Sequence, residues 1–510
     1  MYSKVISCTL VGINGIKTIV EADSSNGIPH FSMVGNLSAS VKEAGDRVRT
    51  ALKNSEIDTP AKKVTINISP ADIKKDGTGY DLPIAVAILK SLEIIDNPFV
   101  EEYAFIGELN LFGDILSVRG ILSMVSELKA SGVKGVFVPS ENEQEAIVVD
   151  GIDIIPVSSL RELMTILQDE ESFVSAKRAK QNNQNDDTLY PFDFSDVHGQ
   201  ILLKRAIEIA VAGFHNILIS GPAGTGKTMV AKRIPSIMPD LTKDEAIEIT
   251  KVYSVAGLLE KNGHLVTKRP FRSPHHSISI TSLIGGGIYP RPGEISLASN
   301  GVLFLDEIPL FSKYAIETLR QPLEDRFITI TRLQGTFSYP ANFMLVAAMN
   351  PCPCGYYPDR NKCKCSEVAI ERYQRGISKP ILERIDICAE SSPIKFDEIT
   401  AEIKSESSEE IKKRVCAARL IQKERFKNSK KLRFNSQMTV IDIKKYCALD
   451  SEEKEYLRTI FKVKKLSART YHKLLKVART IADLSGSEKI MKKHLAEAAN
   501  FRGLEEKIYG

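Results

Sequence analysis

Hydrophobic and polar positions change their pattern twice along the chain. Within the first 165 residues, short β-branched stretches alternate with helical spacing, so that residues 63–68 and 135–139 predict strands and residues 40–52 predict an amphipathic helix. From about residue 195 to about residue 395, apolar stretches are each followed by a loop and a helical pattern, which indicates a parallel α/β sheet. After about residue 396 the strand patterns fade, and Lys, Glu, Leu and Ala at helical spacing predict an all-helical region.

A polar segment separates the first region from the second. Residues 168–189 include the tract QNNQNDD and few large apolar side chains. They cannot bury enough surface to offset the entropy lost on ordering, so we interpret them as a linker. The predicted domains are therefore residues 1–167, an α/β core at residues 190–395 and a helical domain at residues 396–510.

Composition and charge limit the classes of protein to which the chain can belong. Its 510 residues are too many for one hydrophobic core, and 43% hydrophobic with 26% charged residues is ordinary for a globular protein. We find no signal peptide and no run of about 18 apolar residues, so no membrane span is predicted. Four of the eight cysteines are scattered, which favours a reduced, cytoplasmic protein. The net charge of +5 is small, so any nucleic-acid surface must be local.

The clearest chemical motif is a complete phosphate-binding loop of the form G-x-x-x-x-G-K-[ST]. It follows an apolar stretch at residues 216–220 and precedes a helical pattern, which is the strand–loop–helix context that this motif requires. Backbone N–H groups of such a loop surround phosphate oxygens, the lysine contacts the β- and γ-phosphates, and the hydroxyl that follows binds Mg²⁺. The predicted ATP-binding residues are Gly221, Pro222, Ala223, Gly224, Thr225, Gly226, Lys227 and Thr228.

Two later apolar stretches end on polar side chains suited to ATP hydrolysis. Residues 302–305 lead into Asp306 and Glu307, of which the first would hold Mg²⁺ and the second would polarise the attacking water. The alternative for two such acids is a helix N-cap. Residues 343–349 lead into Asn350, whose amide can contact the γ-phosphate or the water, although Asn also ends strands as a turn former.

This order of motifs resembles the AAA+ superfamily, and within it the Mg-chelatase-like ComM/YifB group, over nearly the whole chain. The segments that carry the resemblance are VHGQ at residues 197–200, FRSPHH at 271–276, GEISL at 293–297, NGVLFLDE at 300–307, NPCPCG at 350–355, LERID at 382–386, LSAR at 466–469 and ARTIADL at 478–484. Ser299 and Lys379 stand where the family usually has His and Gly, and neither lies in the phosphate-binding motifs.

The resemblance implies a P-loop AAA+ core with a C-terminal helical lid, ATP and Mg²⁺ as cofactors, and a ring, expected to be a homohexamer. It also implies that Asn350 is the sensor-1 residue, that Arg384 is an arginine finger for the neighbouring subunit, and that Arg469 is the sensor-2 residue of the lid. A guanidinium suits both roles because it stays charged and presents several donors to phosphate oxygens. The alternative for each arginine is a surface or salt-bridging role.

Residues 1–167 resemble the Lon-type proteolytic domain, an α+β fold of the ribosomal S5 domain 2-like type. Where Lon-type proteases carry the nucleophilic serine, this chain has Gly79, and Leu122 and Met124 occupy the expected positions of the lysine partner. A Ser–Lys dyad needs both a hydroxyl and a basic amine. We therefore expect no proteolysis by this dyad, and we interpret the domain as structural or DNA-positioning.

Four cysteines lie close together in a loop at residues 350–366. Cys352, Cys354, Cys363 and Cys365 form two C-x-C pairs, and four thiolates can close tetrahedrally around Zn²⁺ and fasten a loop that has almost no core. The alternative is a set of four free thiols. We expect a structural zinc, because four protein ligands leave no position open for water.

The sequence gives less direct evidence for the substrate on which this predicted ATPase acts. An insertion at residues 253–296 carries Arg272, His275 and His276, and a predicted hairpin at residues 327–339 presents Arg332 near its tip. Such groups can contact a DNA backbone without reading its sequence. Ordinary loops are the alternative. A separate stretch, residues 412–433, has ten basic residues and one acid, and a solvated helix face explains it as well as a DNA contact does.

The family resemblance supplies a substrate. ComM-like proteins are DNA helicases that promote branch migration in natural transformation. We therefore expect an ATP-dependent translocase, acting in transformation or homologous recombination, that binds single-stranded or branched DNA without sequence specificity. The alternative is a chelatase-type remodeller of a protein or tetrapyrrole partner. A third class, an ATP-dependent protease, is excluded because Gly79 stands where the nucleophilic serine would be.

Overall fold

The computed structural model describes residues 1–177, 190–259, 265–287, 290–332, 335–393, 405–429, 432–464 and 466–502. Its first unit is a mixed sheet with helices packed on it. The strands of this unit are β1 (Tyr2–Val11), β2 (Asn14–Ser25), β3 (Phe31–Val34), β4 (Lys63–Ser69), β5 (Tyr103–Phe105), β6 (Glu108–Leu109), β7 (Ile115–Leu116), β8 (Gly135–Pro139) and β9 (Asp153–Val157). Its helices are α1 (Ala39–Asn54), α2 (Asp81–Ser91), α3 (Ile121–Ala130), α4 (Glu143–Ala146), α5 (Leu160–Gln168) and α6 (Glu170–Ala176).

The sheet of the first unit has the strand order β3-β4-β2-β1-β5-β8-β9. β1 and β2 pair antiparallel, whereas β5, β8 and β9 continue the sheet in parallel. The predicted strands at residues 63–68 and 135–139 are confirmed as β4 and β8, and the predicted helix is confirmed as α1. In α1, Val41, Ala44 and Val48 are buried at helical spacing, and the hydroxyl of Ser38 caps the first turn.

The predicted linker begins too early. Residues 170–176 form α6, whose Phe173 is buried and stacks on Phe99 with ring centroids 4.6 Å apart. This aromatic side chain docks the helix because it removes a large apolar area from water, even though its sequence neighbours are polar. Residues 178–189 of the predicted linker lie outside the described residues.

The second unit is a parallel sheet with flanking helices and two hairpins. Its strands are β10 (Ile217–Ser220), β11 (Phe271–Arg272), β12 (Gly285–Gly286), β13 (Arg291–Pro292), β14 (Val302–Leu305), β15 (Phe327–Arg332), β16 (Gly335–Pro340), β17 (Met344–Met349) and β18 (Ile387–Glu390). Its helices are α7 (Ile201–Gly213), α8 (Lys227–Ala231), α9 (Ile234–Ile237), α10 (Lys243–Ala256), α11 (Ile280–Ile284), α12 (Glu294–Leu297), α13 (Lys313–Glu317), α14 (Arg320–Asp325), α15 (Glu367–Gln374) and α16 (Lys379–Leu382).

The central sheet of this unit has the order β11-β14-β17-β10-β18, and each neighbouring pair is parallel. Every residue of β10, β14 and β17 is buried, as a sheet covered on both faces requires. Because these strands are adjacent and parallel, the residues that follow their carboxyl ends meet at one edge. Those residues are the phosphate-binding loop, Asp306 with Glu307, and Asn350.

The third unit is helical, as predicted, and the fold class predicted from the sequence is confirmed. Its helices are α17 (Ser408–Arg425), α18 (Val440–Tyr446), α19 (Ser451–Val463), α20 (Ala468–Leu484) and α21 (Lys492–Asn500). One hydrophobic cluster runs from the core into this unit and includes Ile207 of α7, Val415 of α17 and Ile481 of α20. Short 3-10 turns in the described parts of the three units are Pro98–Glu101, Ser140–Asn142, Phe194–Asp196, Ile308–Leu310 and Asn435–Gln437.

Much of the basic stretch at residues 412–433 is paired within the chain. Lys412 pairs with Asp240 at 2.6 Å. Arg414 pairs with Glu208 at 2.5 Å, and Arg425 pairs with the buried Asp483 at 2.5 Å. These ion pairs fasten α17 to its neighbours, which favours the structural interpretation of these three residues over a DNA contact.

The first unit is docked on the second through a buried polar contact. The hydroxyl of Ser254 in α10 donates to the carboxylate of Glu145 in α4 and accepts from the backbone N–H of Gly120 at 2.8 Å. Burial raises the pKa of Glu145, and the hydrogen bond from Ser254 acts in the opposite direction. A satisfied polar contact of this kind orients the two units because few relative positions preserve it.

Candidate nucleotide site and its surroundings

The phosphate-binding loop runs from the end of β10 into α8. Gly224 and Gly226 have φ angles of +79° and +82°, in the left-handed region where a side chain would strain the backbone. The side chain of Lys227 is buried, and its Nζ donates to the carbonyl oxygens of Gly221 and Pro222 at 2.7 and 2.9 Å. The predicted loop is therefore formed, with the lysine folded over it.

The side chains predicted at the other two strand ends surround this lysine. Lys227 Nζ donates to Asn350 Oδ1 at 3.0 Å, and Asn350 Nδ2 donates to Glu307 Oε1 at 3.4 Å. Thr228 Oγ1 donates to Asp306 Oδ2 at 2.6 Å, so two oxygen atoms suited to Mg²⁺ are already adjacent. Burial lowers the pKa of Lys227, while the carboxylates of Asp306 and Glu307 oppose that change.

A cavity of about 680 Å³ opens over the loop, and one of its walls was not anticipated from the sequence. Asp306, Glu307 and Asn350 line it together with residues 273–276, which include His275 and His276. The sequence predicts these two histidines as DNA contacts, whereas the structure places them in the wall of the cavity over the phosphate-binding loop. The reason is topological: β11 lies parallel to β14, so the residues that follow β11 reach the same edge of the sheet.

The two histidines form a compact pair at this wall. Their ring centroids are 4.0 Å apart, and His276 also contacts the ring of Phe311 edge-on. His275 Nδ1 accepts from the backbone N–H of Ser277 at 3.3 Å and lies 2.8 Å from the Ser277 hydroxyl, so this ring nitrogen is engaged locally. The segment FRSPHH carries the family resemblance in the sequence, but nothing in its spacing shows which cavity it faces.

The remaining predicted DNA contacts fall into two kinds. Arg272 forms a two-point ion pair with Glu294, with distances of 2.7 and 2.6 Å, so its guanidinium is engaged within the chain. Arg332 is exposed at the end of the predicted hairpin, which is confirmed as β15 and β16. The Arg332 guanidinium lies close to Gly286 of β12, since a Cβ atom placed on that glycine would be 3.1 Å from it. The structure thus brings the hairpin and the glycine-rich turn together, beside the exposed Arg291 of β13.

Arg384 and Arg469 meet on one carboxylate. Glu324 Oε1 of α14 accepts from Arg384 at 2.5 Å and from Arg469 at 2.6 Å, and Arg469 also lies 3.5 Å from Glu383. The two guanidiniums hold the pKa of Glu324 below its usual range, although burial acts to raise it. Neither arginine is among the described residues that line the nucleotide cavity of the same chain. Sequence reasoning missed Glu324, which has no motif of its own.

The four predicted metal-binding cysteines converge. Their sulfur atoms all lie within 4.8 Å of one another, and Cys352 Sγ is 3.3 Å from Cys354 Sγ and 3.6 Å from Cys363 Sγ. A backbone N–H of Tyr356 lowers the pKa of Cys354 to about 7, which favours the thiolate that a metal ion requires. The sequence therefore located a set of soft ligands that the fold closes.

The first unit forms part of a cleft around Gly79, the position at which the resemblance to Lon-type proteases places the nucleophile. Gly79 lines a cavity of about 1050 Å³ between the first unit and the core. The neighbouring Thr78 hydroxyl donates to Glu108, and the ammonium of the buried Lys75 donates to the carbonyl oxygens of Pro70 and Ile73. Thr78 and Lys75 are therefore both engaged in hydrogen bonds within the chain, and Gly79 itself offers no nucleophile.

Comparison with protein families finds three models that together match most of the chain. The model described as magnesium chelatase, subunit ChlI, matches residues 193–399. Subunit ChlI of Mg-chelatase matches residues 20–142, and the C-terminal part of magnesium chelatase subunit ChlI matches residues 405–502. The three matches fall on the three structural units in chain order.

Comparison with curated proteins finds relatives that this chain matches over nearly their whole length, and a shorter match to a protease. The uncharacterized protein YifB of Escherichia coli strain K12 is 41% identical over 501 residues, which cover 97% of this chain and 96% of that protein. The competence protein ComM of Haemophilus influenzae is 38% identical over 502 residues, covering 98% and 97%. An archaeal Lon protease of Methanocaldococcus jannaschii is 31% identical over 127 residues, covering 25% of this chain and 19% of that protein. Among the helices of the described ranges, none is long and apolar enough to cross a membrane.

Proposed function

Because this chain belongs to the magnesium chelatase subunit ChlI family, as an AAA+ protein of the ComM and YifB type, we propose that it is an ATP-driven DNA translocase. It acts as a homohexameric ring on single-stranded or branched DNA and promotes branch migration in recombination or natural transformation. The observation that best supports the proposal is one cavity at the carboxyl ends of three parallel strands. The residues that line it include Lys227, Thr228, Asp306, Glu307 and Asn350.

ATP hydrolysis follows from the chemistry of these groups. Backbone N–H groups of the loop and the Lys227 ammonium bind the β- and γ-phosphates. Thr228 and Asp306 would hold Mg²⁺, which would neutralise charge on the phosphate oxygens. Glu307 accepts a hydrogen bond from the attacking water and turns its lone pair toward the γ-phosphorus, and Asn350 holds that carboxylate in place.

The arginines complete the site between subunits. Arg384 and Arg469 both pair with Glu324. Neither is among the described residues that line the nucleotide cavity of their own chain. A neighbouring subunit in a ring supplies the phosphate that two adjacent guanidiniums can bind. Hydrolysis is thereby tied to assembly, because an isolated chain lacks these donors at its own γ-phosphate.

DNA contacts are assigned to the hairpin of β15 and β16 and the turn of β12 and β13. Arg332 and Arg291 are exposed on these elements, and Arg332 lies against Gly286, so one surface presents both cations. Cations on loops bind the phosphate backbone without reading bases, as a translocase requires. We assign Zn²⁺ to Cys352, Cys354, Cys363 and Cys365, with a structural role.

The experiment that tests the proposal measures the rate of ATP hydrolysis with and without forked or single-stranded DNA. We expect several-fold stimulation by DNA, complete loss of activity in Lys227→Ala, and loss of stimulation alone in Arg332→Ala. Arg375→Ala is the matched control, because Arg375 is an exposed arginine whose partner is Glu371 on its own helix. The stimulation should weaken as salt is raised, since phosphate contacts release counterions.

Other outcomes point to other functions. Hydrolysis that depends on Lys227 but not on DNA would retain the ATPase and remove the DNA substrate. The names of the matching family models favour a chelatase-type remodeller as the second candidate. Stimulation by a tetrapyrrole or by a protein partner, in place of DNA, would support that candidate.

A further inference from the structure

The cysteine loop lies directly against the phosphate-binding loop. The backbone N–H of Ala223 donates to the carbonyl oxygen of Gly355 at 3.2 Å. Gly355 has a φ of +84°, and a Cβ built on it would come within 3.0 Å of Ala223 Cβ. The two backbones are thus in contact at a position that favours glycine, both for its conformation and for the space available.

The same loop starts at the residue that contacts the P-loop lysine. Asn350, which accepts from Lys227 Nζ, is separated from Cys352 only by Pro351. The carbonyl oxygen of Pro351 accepts from the side-chain amide of Gln374 in α15 at 2.9 Å. A shift of Cys352 would therefore also move Asn350, because only Pro351 lies between them. The loop contacts the nucleotide site at two separate points.

Few apolar contacts hold this loop in position. Its hydrophobic cluster consists of three buried residues, Cys352, Cys363 and Ile370, with Tyr357 and Cys365 packed against them. The sulfur atoms of Cys352, Cys354 and Cys363 lie 3.3 to 3.6 Å apart, which exceeds the 2.05 Å of a disulfide and approaches the edge of about 3.8 Å of a tetrahedron with Zn–S bonds of 2.3 Å. Cys365 Sγ lies within 4.8 Å of each of them. The N–H of Gly355 donates to the carbonyl oxygen of Cys352 at 3.0 Å, so the position of Gly355 is coupled to that of the cysteine cluster.

We infer that the four-cysteine site controls nucleotide binding. With Zn²⁺ bound, the site holds Gly355 against Ala223 and Asn350 beside Lys227, and without the metal the phosphate-binding loop loses this support. The inference rests on the ATP site of the proposed function and is independent of its DNA substrate. The metal takes no part in hydrolysis, because its four thiolate ligands leave no position for water.

The test compares full-length protein before and after removal of zinc by a chelator under reducing conditions. Zinc content is measured by atomic emission, and nucleotide affinity is measured with a fluorescent ATP analogue. We expect one zinc per chain, nucleotide binding weakened roughly tenfold without it, and recovery when Zn²⁺ is returned. Purified protein without zinc, or unchanged affinity after zinc is removed, would overturn the inference.

Three variants separate this effect from unfolding. Cys363→Ser should lose both zinc and affinity, whereas Cys416→Ser, at a half-buried thiol outside the cluster, should retain both. Gly355→Ala should keep its zinc, since all four thiols remain, but bind the nucleotide analogue more weakly because the added methyl group presses on Ala223. Full affinity in Gly355→Ala contradicts the contact. If zinc-loaded wild type binds no nucleotide at all, the ATP site of the proposed function fails instead.

Discussion

At the scale of single residues, Glu324 organises the two arginines assigned to hydrolysis. Its carboxylate is the shared acceptor for Arg384, which is only 8% exposed, and for Arg469, which is 43% exposed. Arg384 Nε has no hydrogen-bond partner among the described residues, so the guanidinium is incompletely satisfied in the single chain. Without Glu324 the two cations would repel each other at close range. Glu324 is therefore a positioning residue, which sets the orientation of both arginines.

We predict that Glu324→Gln lowers kcat for ATP hydrolysis about tenfold, because one charge-assisted acceptor for two guanidiniums is lost. The KM for ATP should change little, since the phosphate-binding loop is untouched. Steady-state kinetics of the assembled protein measure both values. Glu101→Gln is the matched control, because Glu101 is an exposed carboxylate of the first unit that pairs with Lys90. An unchanged kcat in Glu324→Gln would remove the positioning role.

At the scale of elements, a buried ionic cluster joins β18 to α20. Asp386 accepts from Lys473 at 3.3 Å, and its other oxygen lies 3.2 Å from His215 Nδ1. Burial alone would raise the pKa of Asp386, but Lys473 and His215 outweigh it and hold this pKa well below its usual range. Burial lowers the pKa of Lys473 to about 8, although the negative charge of Asp386 acts to raise it. Because Asp386 follows Arg384 by two residues, this cluster ties the C-terminal helices to the segment that carries the proposed arginine finger.

We predict that Asp386→Asn destabilises the core and lid by about 3 kcal/mol at pH 7, because the Lys473 ammonium is left buried without its counter-charge. The folded-state pKa of Asp386 is depressed, so its contribution is complete above the unfolded value of about 4 and is lost as pH falls toward the folded value. Denaturant unfolding of both proteins measures the difference, which should stay constant from pH 7 to pH 5 and shrink below pH 4. Asp46→Asn, at an exposed carboxylate, is the control.

At the scale of the whole molecule, the proposed activity needs more than one chain. The cavity holds the phosphate-binding loop, Asp306, Glu307 and Asn350, while Arg384 and Arg469 belong to a different surface of the same chain. A head-to-tail ring places one surface against the other at every interface, because heterologous contacts close by rotation. Each site would then take its catalytic arginines from the neighbouring subunit.

We predict that mixing two inactive variants restores hydrolysis. Lys227→Ala subunits still offer Arg384, and Arg384→Ala subunits still bind ATP, so randomly mixed rings should regain roughly a quarter of their complete sites. The ATPase rate of a one-to-one mixture, after exchange of subunits, is the measurement. Mixing Lys227→Ala with the double variant Lys227→Ala, Arg384→Ala should restore nothing. If the first mixture also stays inactive although mixed rings form, Arg384 does not act between subunits.

The sequence by itself determined the features that depend on neighbouring residues. Gly224, Gly226 and Lys227 specify a phosphate-binding loop because its conformation and donors lie within one short segment. Strands such as β14 and β17 are apparent because a strand covered on both faces needs a continuous apolar run. The polar side chains at their ends could then be assigned before the fold was known, since parallel strands share one functional edge.

Only the tertiary structure decided which distant segments meet. His275 and His276 line the cavity over the phosphate-binding loop because β11 lies beside β14, Glu324 joins two arginines from different units, and Gly355 rests on Ala223. Phe173 turns the start of a polar linker into a docked helix for the same reason. Each of these contacts depends on the packing of segments far apart in the chain, and the composition and spacing of a local segment carry no information about its distant partner.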